Sequence, residues 1–258
     1  MSEIAKYRIC LGIGDILLLA GWFKTKNYSG ILVVSLDIIK IYRNNSMPYL
    51  NFILRLIKEF MPQFSIEFTD EIEQIISINN FIDNVKYEDL KLTLPGDDEL
   101  NLDYVVLFTK YRLDDEESRI HLKNNIPELI KIISTLKHKI VLLGEREISD
   151  NYETINHKVS TLYESLKPYT YLDLTEKELI NFPSWKTFSR DVQIIKNAKC
   201  VIGFGLGGNL CMSISFARKL IFFTETSSYK IIKCLSTDLS STLTFDIDVF
   251  RNAINNLE

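Results

Sequence analysis

The stretch NAKCVIGFGLGGNLCMSISFARKLIFFTETS, residues 197–227, decides how the chain is read. Residues 200–202 form an apolar run fit for a buried strand, residues 203–208 (GFGLGG) a tight loop, residues 209–217 a helix, and residues 220–223 a second strand. A glycine loop between a strand and a helix lets the backbone approach a phosphate. The helix start adds unpaired N–H groups and a partial positive charge. Gly205, Gly207, Gly208 and Asn209 are therefore candidate phosphate-binding residues, and the alternative reading of the same glycines is a packing turn.

The same alternation continues on both sides. Upstream, residues 104–108 (YVVLF) and 139–143 read as strands, 126–136 as a helix, 171–174 as a brief strand and 187–198 as a helix; downstream, 249–257 reads as a closing helix. The first part of the chain repeats the theme: strand 7–11, turn 12–14, helix from Asp15, strand 30–36, amphipathic helix 48–59, strand 64–68 and helix 70–78. The polar segment 94–99, with Pro95-Gly96-Asp97-Asp98, marks a boundary between residues 1–98 and 99–258. Alternating strands and helices predict an α/β protein, its parallel sheets flanked by helices, arranged as two facing Rossmann-like domains.

Composition narrows the function classes. The 258 residues are 46% hydrophobic, enough for a packed core, and 30 basic against 34 acidic residues give a net charge of -4 with no basic block, which argues against a nucleic-acid partner. Cys10, Cys200, Cys211 and Cys234 form no C-x-x-C pair, as expected of a reducing, cytoplasmic setting and not of a zinc site. The apolar run 9–23 carries Asp15 and is shorter than the roughly 20 residues of a spanning helix, so neither a membrane span nor a signal peptide is expected. His121, His138 and His157 read as surface residues.

Other candidate site residues follow strand ends, where parallel sheets gather ligands. Lys110 and Arg112 could grip a diphosphate, or be a surface pair neutralised by residues 114–117. Glu145 could accept from a ribose hydroxyl, as could Glu225 at the end of strand 220–223. Asp15, in Gly12-Ile13-Gly14-Asp15, could take a proton from an acceptor hydroxyl or cap its helix. Gly203, Gly205 and Gly208 also match G-x-G-x-x-G, the dinucleotide fingerprint, but this loop follows a late strand instead of the first. The Asp246-Ile247-Asp248 pair, just before the closing helix, reads as a cap, and no metal site is expected.

Two regions resemble the heptosyltransferase family, glycosyltransferase family 9. Gly14-Asp15-Ile16-Leu17 is similar to that family's Gly-Asp-hydrophobic start. VLLGERE (141–147), YLDLT (171–175) and the stretch 197–227, followed by DIDVFRNAI, resemble its later strands, glycine loop and closing helix. The resemblance implies a two-domain GT-B fold, transfer of a sugar from a nucleotide-sugar donor, and Asp15 as catalytic base. It implies no cofactor beyond that substrate, and as acceptor a glycan, a lipid-linked glycan or a protein, with peripheral membrane contact left open. Where the family has Asp-Ser-Gly-Pro-x-His, this chain has Gly205-Leu206-Gly207-Gly208-Asn209-Leu210, so donor binding would rest on backbone N–H groups. That difference keeps a non-catalytic nucleotide-sugar-binding or assembly subunit in view, with an NAD(P)-binding oxidoreductase as the third reading.

Overall fold

The computed structural model describes residues 6–8, 12–34, 47–69, 87–94, 102–113, 116–147, 159–177, 184–225 and 241–257. The chain is an α/β protein with parallel sheets flanked by helices. The first sheet is parallel, in the order β1 (Lys6–Arg8), β2 (Gly30–Val34), β3 (Phe64–Phe68). Helices α1 (Ile13–Lys26) and α2 (Met47–Phe60) belong to the same half. The expected helix at 70–78 and the boundary at 98/99 lie outside the described residues.

The second sheet holds six parallel strands: β4 (Leu102–Phe108), β6 (Lys139–Leu143), β8 (Leu172–Asp173), β9 (Ala198–Phe204), β10 (Leu220–Phe223) and β11 (Ser241–Thr244). Across the sheet they run β8-β6-β4-β9-β10-β11. Counted along the chain this is 3-2-1-4-5-6, the order of doubly wound nucleotide-binding sheets. Its switch point lies between β4 and β9, where successive connections leave toward opposite edges. Three strands are absent from the sequence reading: β11, at the edge of the large sheet, and β5 (Lys110–Arg112) and β7 (Val159–Thr161), which pair antiparallel as a small separate ribbon just beyond β4.

Both faces of the large sheet are apolar, as a doubly covered parallel sheet requires. Along β4 the side chains alternate: Val106 and Phe108 join one cluster, Val105 and Leu107 the other. On the first face lie α4 (Trp185–Asn197), through Phe188, Val192 and Ile195, and α5 (Gly208–Phe216), through Leu210, Ile214 and Phe216. On the second lie α3 (Glu116–Ile133) and α6 (Ile247–Asn255), through Leu122, Leu129, Ile132, Phe250 and Ile254.

The first cluster does not stop at α4 and α5. It continues into α1 and α2, so both sheets share one hydrophobic core. Phe52 and Phe60 of α2 meet Phe188 and Phe216 at ring-centroid distances of 5.6 and 5.7 Å. Such pairs add about 1 kcal/mol each beyond the area they bury. The run from Ile16 to Phe23 in α1 is buried on every side, the burial pattern of a helix that is apolar all round. Among the described residues no helix is long and apolar enough to cross a membrane. The amphipathic segment 48–59 turns its apolar side, including Tyr49, Phe52, Ile53, Leu56 and Ile57, into this core.

Candidate functional site

The carboxyl end of β9 runs into the glycine loop, and each glycine there has a separate job. Gly203 is still inside β9 and buried, and a side chain on it would collide with the Phe222 ring of β10. It is a packing glycine, so the match to G-x-G-x-x-G begins within a strand instead of in a turn. Gly205 has φ +62° and lies against the Arg112 carbonyl oxygen, which a β-carbon would strike. Gly207, with φ +109°, precedes the first residue of α5 and offers no side-chain cap. Among the described residues, nothing beyond its chain neighbours and its own helix lies within 4 Å of where a side chain on Gly208 would begin. The first N–H groups of a helix have no intrahelical acceptor, and the positive end of the helix dipole lies at this start.

The β5–β7 ribbon forms the wall beside this loop. Leu206 N–H donates to the Arg112 carbonyl oxygen at 2.6 Å, and the Asn209 side-chain amide donates to the Lys110 carbonyl oxygen at 3.4 Å. The Lys110 ammonium reaches the Glu145 carboxylate at 2.9 Å, with side-chain exposures of 18% and 7%. Two residues expected to contact a donor separately are thus bound to one another. The pair is enclosed, which distinguishes it from the surface pairing with residues 114–117 that was the other expectation for Lys110.

From the opposite side comes the start of α1. Gly12, not Asp15, is the cap position; the helix begins at Ile13, and Asp15 stands in its first turn. The Asp15 carboxylate folds back over Gly12, with Oδ2 2.5 Å from where a β-carbon on Gly12 would sit. Gly14 packs on α5: a β-carbon there would be 2.8 Å from Cys211 Sγ and 3.6 Å from the Gly208 Cα. The starts of α1 and α5 therefore meet at the switch point, bringing Asp15, Gly205, Gly207, Gly208, Asn209, Lys110, Arg112 and Glu145 into one neighbourhood. The Cys211 thiol at the junction is pushed up to about 12, by burial first and by the Asp15 charge second, with Arg112 opposing.

Glu225 also stands at the carboxyl end of the sheet, where it accepts from Ser118 Oγ at 2.9 Å in the first turn of α3. A second polar group, which the sequence reading passed over, lies past β6 and β8. Arg146 approaches Asp173 at 3.4 Å and Thr175 at 2.8 Å, and Tyr163 donates to Asp173 at 2.8 Å. Burial is the largest single influence on Asp173, yet donors from Thr175, Tyr163 and Arg146 together hold its carboxyl below the usual range. Arg190 ties α4 to the same edge through Glu176 and the Leu174 carbonyl, and pairs with its neighbour Asp191. Burial pushes Asp191 up to about 6 against the opposing charge of Arg190. Arg146, Asp173 and Thr175 fall in stretches that carry the family resemblance, but the sequence assigns none of these residues a role of its own, because isolated polar residues after strands are common.

Other expectations resolve locally. Asp246 caps α6, accepting from the N–H groups of Asp248 and Val249 at 2.8 and 3.1 Å. His121 is exposed and stacks 5.8 Å from Phe223, while His138 is largely enclosed between Asp103 and the Leu257 carbonyl, unlike the surface residue expected. His157, Cys10 and Cys234 lie outside the described residues. A depression of about 590 Å³ on the outer side of α2 is lined by Leu54, Arg55, Lys58, Glu59 and Pro62. Its lining comes from α2 and the residues just after it, away from the strand ends where doubly wound sheets gather ligands, so the switch point is the better candidate. Comparison of the chain with family models, with curated proteins and with solved structures finds no match.

Proposed function

We propose that the protein is a glycosyltransferase that moves a sugar from a nucleotide-sugar donor to an acceptor hydroxyl, with inversion and without a metal ion. The observation that supports this most is the meeting of two helix starts at the switch point, one carrying a carboxylate and the other bare. The donor diphosphate would lie against the N–H groups at residues 207–209, with Arg112 alongside. Asp15 would accept the proton of the acceptor hydroxyl as its oxygen attacks the anomeric carbon. The bond from that carbon to the diphosphate oxygen breaks, and the leaving nucleoside diphosphate takes up negative charge where the α5 dipole and Arg112 favour it. The two-domain GT-B arrangement belongs to this reading.

The oxidoreductase reading draws less support. A dinucleotide's pyrophosphate sits on a glycine turn after the first strand of such a sheet. Here that strand is β4, and it leads into Lys110-Tyr111-Arg112, which is paired with β7.

A thermal-shift series with UDP, GDP, ADP, CMP and NAD tests the proposal, followed by a hydrolysis and transfer assay with the sugar nucleotide of the stabilising base. A ligand of the folded state at 100 times its dissociation constant adds about 2.7 kcal/mol. Stabilisation by one nucleoside diphosphate with turnover is the expected result. Binding without turnover makes the protein a nucleotide-sugar-binding subunit, and stabilisation by NAD alone overturns the assignment in favour of an oxidoreductase.

A further inference from the structure

Glu145 was a candidate ribose contact, and its surroundings describe a different task. Its main-chain carbonyl accepts two buried or half-buried hydroxyls, Thr109 Oγ1 at 2.7 Å and Thr161 Oγ1 at 3.0 Å. Thr109 is itself fully buried at the end of β4, and its N–H is bonded to the Leu143 carbonyl at 3.0 Å. The next glycine, Gly144, has φ +100° and leaves only 3.0 Å between a would-be β-carbon and the Thr109 hydroxyl, so the turn after β6 closes tightly over that residue. The main chain of Glu145 is thereby fixed, and its carboxylate, 5% exposed as a residue, is directed at Lys110.

Lys110 in turn sits in the ribbon whose backbone carries the glycine loop. Its carbonyl holds Asn209, and two residues on, the Arg112 carbonyl holds Leu206. Alternate residues of a strand share a face, so Lys110 and Arg112 project to the same side. An enclosed ion pair at one of these positions limits the freedom of the other.

We propose that Glu145 is a positioning residue: with Thr161 it locks the β5–β7 ribbon, and through the ribbon it sets the glycine loop and the aim of Arg112, without touching a ligand. The consequence for binding rests on the function proposed above; the consequence for the loop does not.

Residue-resolved amide hydrogen exchange of the ligand-free protein tests the lock. Glu145→Gln and Thr161→Val are expected to speed exchange of the Leu206 amide by about tenfold, the effect of losing one net hydrogen bond or a charge-assisted one. Thr161→Ser, which keeps the hydroxyl, is expected to exchange like the wild type. Ile132→Val, a core change in α3 on the other face of the sheet, is expected to leave Leu206 alone. Unchanged Leu206 exchange in a folded Glu145→Gln or Thr161→Val protein overturns the proposal, as does equal acceleration by Ile132→Val. Should Glu145→Gln not fold, the Thr161 pair carries the test.

Calorimetry with inorganic pyrophosphate and with the nucleoside diphosphate found above supplies the second arm. A positioning role weakens both probes by the same factor in Glu145→Gln. A loss confined to the nucleoside diphosphate makes Glu145 a ribose contact and overturns the proposal. Wild-type protein that binds neither probe defeats the proposed function, and the exchange data then decide the positioning role alone.

Discussion

Helices α1 and α5 both begin in a glycine-containing turn without a side-chain cap, and they touch at their first turns, yet the two starts are built differently. At α1 the cap residue Gly12 has an ordinary extended conformation, φ -70°, and an acidic residue of the first turn, Asp15, lies back over it. At α5 the cap residue Gly207 has φ +109°, the first turn carries no acid, and among the described residues nothing outside its own helix and chain neighbours lies within 4 Å of a would-be Gly208 side chain. A carboxylate near a helix start already uses some of its positive potential; a start without one keeps it for something else. On the proposed function, these two glycine turns would serve opposite ends of one chemistry, the first holding a base and the second receiving an anion.

The sharpest way to break this contrast is Asp15→Asn. If the α1 start supplies the base, transfer falls by about 10²–10⁴ while nucleoside diphosphate affinity stays within a few-fold. Full turnover in a kinetic assay of that variant removes the assignment. Next in size is Lys110→Ala, which leaves the enclosed Glu145 carboxylate without its ammonium and costs about 3 kcal/mol in denaturant unfolding. The loss should shrink when Glu145→Gln is added, because the two residues are coupled.

The glycines sharpen the comparison at smaller scale. Gly14→Ala drives a methyl group to 2.8 Å from Cys211 Sγ, and the start of α1 must lift from α5, at a cost of about 1–3 kcal/mol. Because burial and Asp15 suppress thiolate formation at Cys211, iodoacetamide at pH 8 should leave that residue unmodified in peptide mass maps of the folded wild type. Ready alkylation there would mean that the two helix starts do not stay together. Gly208→Ala meets nothing within 4 Å among the described residues, so its melting temperature should hold or rise slightly, an effect of about 0.5 kcal/mol. If the proposed anion lies against the start of α5, its affinity should nevertheless drop, since the methyl adds bulk there.

Elements with strong local patterns were legible in the sequence. Strands 139–143 and 220–223 lie where their apolar runs put them, because a strand buried on both faces has little else it can be, and strand 64–68 lies where its alternation of apolar and polar residues put it. Helix α3 begins at Glu116, ten residues before the expected Ile126, since EESRIHLKNN shows few apolar residues. The β5–β7 ribbon left no local trace: its two three-residue strands are polar in part and pair across a long interval. That omission hid the Lys110–Glu145 pair as well. Spacing along the chain could nominate both residues for the site, but only tertiary contact could reveal that each answers the other's charge.

The central strand of the large sheet raises a matter of timing. β4 is the first of its six strands in the chain, and its two neighbours, β6 and β9, arrive at very different moments. The contact that closes the crevice, Asn209 to Lys110, spans 99 residues. Closing so long a loop is slow, and it comes after the cheaper β4–β6 pairing can already have formed. During that wait β4 presents one unsatisfied edge, with Val105, Val106 and Leu107 exposed on both sides of the ribbon. A chain cut or stalled before β9 would therefore lack the Asn209–Lys110 contact altogether and carry a sticky, half-paired strand, prone to edge-to-edge association until the stretch from residue 198 onward reaches it.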